Sequence, residues 1–378
     1  MTALIVLASV VLLIIVAVQI GKISELSSAI RGEEAAQRES DNFNAKMGLF
    51  FLVAFLVFCV GSAWYYKDYM LGYGLPHASI HGGKIHGIFN ITLFFTGIVF
   101  VLTHIALFWY AYKYKAEKGR KVLFIPDDHK LEKIWTAIPA LVMCGLVIFG
   151  LSAWNDAMAD VSPGDDYVEI EATAYQFAWE IRYPGKDKII GEKYFKNITP
   201  GVNDLGINFD DPASQDDFLT PDDIVLPKGK KIRVRITSKD VLHNFGAPHF
   251  SVKMDAIPGL PTYFVFTPTM TTEEYRLNLK KNPAYSIPSD PEDPTSPKKW
   301  EAFNYELACM ELCGKGHFSM RRVIKIVSQE EYDKWLEDKK PFFEENVKGK
   351  LEGKGYSWYT AEVPAVEESK SATATDAN

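Results

Sequence analysis

Four long apolar runs constrain this chain more than any other feature. Spanning ~30 Å of hydrocarbon takes about 20 mostly apolar residues in helical form. The stretches 3–20, 47–66, 87–112 and 134–154 each reach that scale, and together they fill most of the region 1–158. The second closes on Trp64, Tyr65 and Tyr66, and the third on Trp109, Tyr110 and Tyr112. Such aromatic belts sit at headgroup level. The first run lacks a basic leader and is longer than the apolar core of a signal peptide, so it is read as a retained helix.

Loop charge orients the four spans. Lys113, Lys115, Lys118, Arg120, Lys121, Lys130 and Lys133 lie between the third and fourth, whereas only Lys67 and Lys84 lie between the second and third. From Ile134 to Ile181 there is no Lys or Arg. The third loop is therefore cytoplasmic. Both chain ends then face outward, and residues 159–350 form a domain outside the cytoplasm, periplasmic for a bacterial inner membrane. A net charge of -7 excludes a nucleic-acid partner, which needs a basic face, and four cysteines in 378 residues exclude a disulfide scaffold.

The outer region reads as β-sheet. Residues 167–172, 231–236 and 263–266 alternate apolar and polar side chains, the pattern of half-buried strands. Two packed antiparallel sheets are the expected architecture, an all-β sandwich. Long polar stretches near 184–222 and 281–299 read as insertions, the second carrying Pro283, Pro288, Pro291, Pro294 and Pro297. The spacing of Tyr332, Trp335, Leu336 and Phe342 predicts one helix over 330–347, and the tail 351–378 is read as largely disordered.

The chemical signal is the run Cys309-Met310-Glu311-Leu312-Cys313-Gly314-Lys315-Gly316-His317-Phe318-Ser319-Met320. Two thiols, an imidazole and a thioether within one loop are soft donors that favour copper over zinc. A second imidazole must come from elsewhere. His243, at the end of a strand-like run, leads over His249. A Cys309–Cys313 disulfide is the structural alternative in an oxidising compartment. His77, His81 and His86 cluster before the third span and are read as loop residues, while Cys59, Cys144 and His104 lie inside spans and are read as packing groups.

This loop resembles the binuclear copper (CuA) loop of cytochrome c oxidase subunit II, Cys-x-Glu-x-Cys-x-x-x-His-x-x-Met. Three further segments are similar to that family: Asp255-Ala256-Ile257-Pro258-Gly259 after the His243 strand, Leu131-Glu132-Lys133-Ile134-Trp135-Thr136-Ala137-Ile138-Pro139 at the start of the fourth span, and Tyr175-Gln176-Phe177-Ala178-Trp179. The resemblance implies a cupredoxin-like Greek-key sandwich behind N-terminal transmembrane helices. It implies that Cys309 and Cys313 bridge two coppers, that His243 and His317 each bind one, and that Met320 and the Glu311 carbonyl complete them. The Glu311 carboxylate would help hold magnesium against the catalytic subunit. Phe177, Trp179, Asp240 and Asp255 would serve electron entry and donor docking, and Glu132 would stand at the mouth of a proton pathway. The implied partners are the haem-copper catalytic subunit I and other oxidase subunits, cytochrome c or a tethered cytochrome c domain as donor, and lipid.

The chain departs from that family in four places. The first two spans are extra. Phe177 stands where the family has its electron-entry tryptophan. Leu260 follows Gly259 where Arg is common, and no Cys-x-x-Cys-His haem motif follows the copper loop. The expected function is electron uptake from cytochrome c and delivery to haem in subunit I, for oxygen reduction with proton pumping, with no oxygen-reducing site in this chain. The alternative is the corresponding subunit of a nitric oxide reductase. A quinol oxidase subunit would lack the Cys and His ligands. A copper-storage protein would need exposed, exchangeable sites.

Overall fold

The computed structural model describes residues 2–66, 77–117, 119–121 and 124–351. Lys67 and Lys118 of the loop-charge argument, and 352–378 of the tail, lie outside them. The chain divides into two units, 1–67 with 89–146, and 68–88 with 147–378.

Among the described residues, four helices are long and apolar enough to cross a membrane: α1 (Thr2–Arg31), α2 (Glu33–Tyr66), α3 (Ile80–Lys113) and α4 (His129–Ala157). Each runs past its apolar stretch. Polar flanks such as 33–46, which opens on Glu33-Glu34-Ala35-Ala36-Gln37-Arg38, are good helix formers and continue the hydrogen-bond ladder past the apolar stretch. The break between α1 and α2 falls at Gly32, whose φ of 82° belongs to the left-handed region that glycine enters without strain. α2 and α3 meet through rings, Phe51 on Phe108 at 5.7 Å and Phe55 on Phe100 at 6.0 Å between centroids. His104 satisfies its Nδ1 on the Phe100 carbonyl of its own helix, 2.7 Å away, and packs its ring on Phe55. Most other apolar side chains of the helices stay exposed, as lipid-facing groups do.

Ten strands build the outer unit: β1 (Tyr167–Tyr175), β2 (Ala178–Tyr183), β3 (Phe218–Thr220), β4 (Ile224–Pro227), β5 (Lys231–Ser238), β6 (His243–Ala247), β7 (Val252–Ala256), β8 (Thr262–Phe266), β9 (Tyr305–Cys309) and β10 (Arg321–Val327). They form two five-stranded sheets, in the orders β3-β2-β1-β5-β8 and β4-β10-β9-β6-β7. In β5 the alternation is plain. Ile232, Val234 and Ile236 are buried, while Arg233 and Arg235 point outward to Glu169. Burying each such Ile contributes about 1.5–3 kcal/mol. Opposing them are Phe245, Tyr305, Leu307, Ile324 and Ile326, so one core fills the space between the sheets. This is the cupredoxin-like sandwich implied by the resemblance.

The expectation of purely antiparallel sheets is corrected. β1 pairs β5 in parallel and β10 pairs β4 in parallel. After β3 the chain crosses to the other sheet as β4 and returns as β5 beside β1, and two strands entered from the same end must run alike. The 184–222 stretch is also more than an insertion. Its end is the edge strand β3, and Leu205, Ile207 and Phe209 form a small second core with Phe343 and Val347. The single helix expected over 330–347 is broken. It runs from Gln329 to Glu337, capped by Ser328 and Glu331, and Pro341 precedes a separate wider turn over Phe343–Val347. Proline has no N–H to continue the ladder.

The residues leading into α3 and its first turn dock on the sandwich, so His81 and His86, expected in a loop, lie in the helix. Ala78 N–H donates to the His249 carbonyl (3.1 Å), the Ser79 hydroxyl to the Phe250 carbonyl (2.6 Å), and buried His81 lies 3.3 Å from the Ser251 carbonyl. His77 and His86 stack on each other with centroids 4.0 Å apart.

Candidate metal centre

Register brings the donors together. β6 and β9 are neighbours, with Phe245 opposite Cys309. His243 therefore stands two residues beyond the end of β9, where the cysteine loop begins. Backbone bonds fold that loop back on itself: Cys309 N–H donates to the Met320 carbonyl (3.0 Å), Met310 N–H to the Asn244 carbonyl (3.3 Å) and His317 N–H to the Gly314 carbonyl (3.1 Å).

Cys309 and Cys313 are free thiols with Sγ atoms 3.9 Å apart. His243 Nδ1 is 3.8 Å from the Cys309 sulfur, and the Glu311 carbonyl oxygen is 3.2 Å from it. On the other side, His317 Nδ1 is 3.6 Å and Met320 Sδ 3.4 Å from the Cys313 sulfur. The donor atoms of His243, Cys309 and Cys313 all lie within 4.8 Å of one another. His243 is fully buried, and Cys309, Cys313 and Met320 are each under a tenth exposed. Burial, reinforced by the neighbouring Cys309, pushes the Cys313 thiol up to about 11. Burial disfavours the Cys313 thiolate unless a cation stands beside it, and a bound metal would supply that charge. The donor set fits soft-metal binding on these grounds: two thiols, two imidazoles, a thioether and a carbonyl, arranged as two clusters around a shared pair of sulfurs.

The residues around this core have distinct positions. Phe177 is about a third exposed, and its ring lies against the loop. A Cβ at Gly314 would meet it at 3.2 Å, and one at Gly316 would be closer still. Trp179 is buried, its ring 6.3 Å from that of His243 and 5.8 Å from Phe245. Asp255 is exposed and accepts from the Asn244 side chain (2.7 Å). Asp240 is exposed at the rim of the site, with its carboxylate against His243. Its Oδ1 lies 2.9 Å from His243 Nε2 and its Oδ2 accepts from Gln176 N–H (2.7 Å). Burial raises the Asp240 carboxyl, but the hydrogen bonds from His243, Gln176 and Val241 outweigh it and hold the group below the usual carboxylate range. Glu132 lies in the first turn of α4, in the other unit, beside His129 at 3.3 Å. His249 lies apart from the cluster, among Tyr275, Phe303 and Tyr305.

Gln176 is the residue that pattern reading passed over. Its Nε2 donates to the Cys313 carbonyl at 2.7 Å. The available signal was an amide placed between aromatic residues in Tyr175-Gln176-Phe177-Ala178-Trp179, where packing alone has no use for it. Gly246 was missed as well. A Cβ there would meet the Met310 Cγ and Sδ at 2.5 Å and the Ala308 carbonyl at 3.0 Å, so the Met310 side chain packs where a larger residue would stand.

A sandwich whose loop gathers two thiols and two imidazoles, in a chain with four membrane-length helices among the described residues, defines a membrane protein with an outer domain that could hold a soft metal. Residues 70–152 match the transmembrane domain of cytochrome c oxidase subunit II, and 168–271 match its periplasmic domain. The alternative cytochrome c oxidase subunit 2 of Bradyrhizobium diazoefficiens is 31% identical over 261 residues, covering 69% of this chain and 82% of that protein. The cytochrome c oxidase subunit 2 of Cereibacter sphaeroides is 24% identical over 271 residues, covering 69% and 78%. Among solved structures, the periplasmic domain of cytochrome oxidase subunit II of Bradyrhizobium japonicum aligns at 24% identity over 47% of this chain and 95% of that one, with a TM-score of 0.28. The chain belongs to the cytochrome c oxidase subunit II family. The matched 168–271 ends before the cysteine loop, so the case for metal rests on the loop residues themselves as well as on a family that implies copper.

Proposed function

We propose that this chain is the electron-accepting subunit of a haem-copper oxidase, and that its loop holds the binuclear copper centre CuA. The observation that carries the reading is the convergence of His243, Cys309, Cys313, His317, Met320 and the Glu311 carbonyl around two shared sulfurs. Cys309, Cys313, His243, His317, Met320 and the Glu311 carbonyl would hold the copper, which when bound would supply one-electron transfer. The chain's own residues supply the rest. Packed strands fix the ligands, and burial keeps water from the sulfurs.

The surface over the loop suits a protein contact. Leu242, Leu312 and Phe318 are more than half exposed, and Phe177 lies on the loop beside them. Exposed apolar groups beside a buried redox site favour a short, dry approach by a partner. The readings of Phe177 as the outermost group on the electron's path, with Trp179 packed beneath His243, and of Asp240 and Asp255 as local acids near a basic donor, belong to this proposal. So does magnesium at the exposed Glu311 carboxylate against subunit I. Glu132 is assigned to proton uptake from the cytoplasmic side, in a bacterial inner membrane with the sandwich in the periplasm.

Copper loading of the purified chain tests this. The expected result is two coppers per chain and an electron paramagnetic resonance spectrum of one unpaired electron shared over both. Cys309→Ser should abolish that spectrum. A single-copper spectrum in the wild type, or a shared-electron spectrum that survives Cys309→Ser, would refute the assignment.

A further inference from the structure

Asp240 and Gln176 connect the two halves of the metal centre. One oxygen of the Asp240 carboxylate lies 2.9 Å from His243 Nε2, and the other accepts the Gln176 N–H (2.7 Å). The Gln176 side chain then reaches the Cys313 carbonyl (2.7 Å). One continuous path therefore runs from the β6 ligand, through the β1–β2 turn, to the middle of the cysteine loop. Asp240 is itself held, because its Oδ1 also accepts from Val241 N–H (2.6 Å) and the Ser238 hydroxyl lies 3.4 Å away.

Such a path has consequences for the ligands. With Nε2 donating to Asp240, the Nδ1 lone pair of His243 is left facing the Cys309 sulfur, 3.8 Å away. A carboxylate on the far nitrogen also raises the basicity of the ligating one. At its start the loop is tied to β6 by the Met310 N–H on the Asn244 carbonyl (3.3 Å). Gln176 adds a tie at Cys313, further along the loop. Gly314 and Gly316 need such a tie, since glycines leave the backbone free to move.

We propose that Asp240 and Gln176 are positioning residues of the metal centre, a clamp that fixes the tautomer and aim of His243 and holds Cys313 in register with it. The inference rests on the copper reading above. It gives Asp240 a role in the site's interior in addition to any contact with a donor.

The test uses the full-length chain, purified and loaded with copper, as wild type and as Asp240→Ala, Asp240→Asn and Gln176→Leu. Three quantities are read: copper retention against a competing chelator, the copper–nitrogen hyperfine pattern, and the midpoint potential. Asp240→Ala should lose copper affinity about tenfold to a hundredfold, the range seen when groups behind a metal ligand are removed. Its midpoint potential should rise, because a less basic imidazole stabilises the oxidised centre less. Asp240→Asn still accepts from Nε2 and keeps the fold, so it should recover most of the affinity while retaining part of the potential shift. Gln176→Leu should speed copper loss while leaving the His243 hyperfine pattern unchanged.

Wild-type affinity, hyperfine pattern and potential in Asp240→Asn and Gln176→Leu would overturn the clamp even if Asp240→Ala failed to fold. Equal effects of Asp240→Ala and Asp240→Asn on affinity would overturn the positioning role and leave charge alone. Absence of the shared-electron spectrum in the wild type would instead refute the copper reading, so the two failures are distinguishable.

Discussion

Arg182→Met should be among the most damaging single changes in the outer unit, although Arg182 touches no metal donor. Its guanidinium is 1% exposed and makes four contacts. Nε and Nη2 both reach Asp217 Oδ2, Nη1 reaches Glu171 Oε2 (3.2 Å), and Nη2 reaches the Gly191 carbonyl (2.6 Å). Without it, Glu171 keeps Lys193 at 2.6 Å, but Asp217 keeps only the Gly191 N–H at 3.2 Å. One buried carboxylate is then left without a cation. Breaking a buried pair from one side costs about 3–5 kcal/mol. For a unit of this size each kcal/mol lowers Tm by roughly 2–4 °C, so a fall of about 6–20 °C is expected. Thermal unfolding followed by the β-sheet circular dichroism signal measures it.

The sign of its pH dependence follows from Asp217. Burial, opposed by Arg182, pushes that carboxyl up to about 6 in the wild type. Removing Arg182 drives it higher. An acid whose pKa is raised on folding binds its proton more tightly when folded, so stability is lost as pH rises from the unfolded value, about 3.9, through the folded one. The deficit of Arg182→Met should therefore be largest at pH 8 and shrink towards pH 5. Arg182→Met with Asp217→Leu should recover most of the loss, because the stranded charge is gone. A double variant as unstable as the single, or a deficit that grows on acidification, would refute the reasoning.

Two further outcomes follow from positions described above. Gly246→Ala should push Met310 off β6 and cost about 1–3 kcal/mol by overpacking, with a shifted copper spectrum, and an unchanged Tm and spectrum would mean the loop has room to give. Glu132→Gln should slow steady-state oxygen reduction by the assembled oxidase while stopped-flow reduction of copper by cytochrome c stays at the wild-type rate. Unchanged turnover would return Glu132 to a helix-start carboxylate facing the positive end of α4.

The sequence carried the four spans because lipid selects for length and apolarity, and both are visible in one dimension. It did not carry the helix ends, since residues such as 33–46 are helical by backbone propensity and not by hydropathy. Strand alternation marked β1, β5 and β8, but not the parallel pairing of β1 with β5. Which sheet a strand joins depends on a crossover that no local pattern records. At the site, side-chain chemistry named the donors and separated His243 from His249. Asp240 is a surface acid in the structure as well, but its bonds to His243 and to the Gln176 N–H come from a turn that nothing local in Asp240-Val241-Leu242-His243 announces.

The pairing of β6 with β9 acts as a ruler. The two ligands nearest each other across it, His243 and Cys309, are 66 residues apart in the chain, yet their spacing is set by a single register, Phe245 opposite Cys309. Chain added between these strands changes the length of a surface excursion and leaves the distance between ligands alone. The proline-rich 281–299 stretch is such an addition. Because doubling a flexible loop costs only about 0.6 kcal/mol, that excursion could be lengthened or shortened while the spacing of His243 and Cys309 stays as the register sets it.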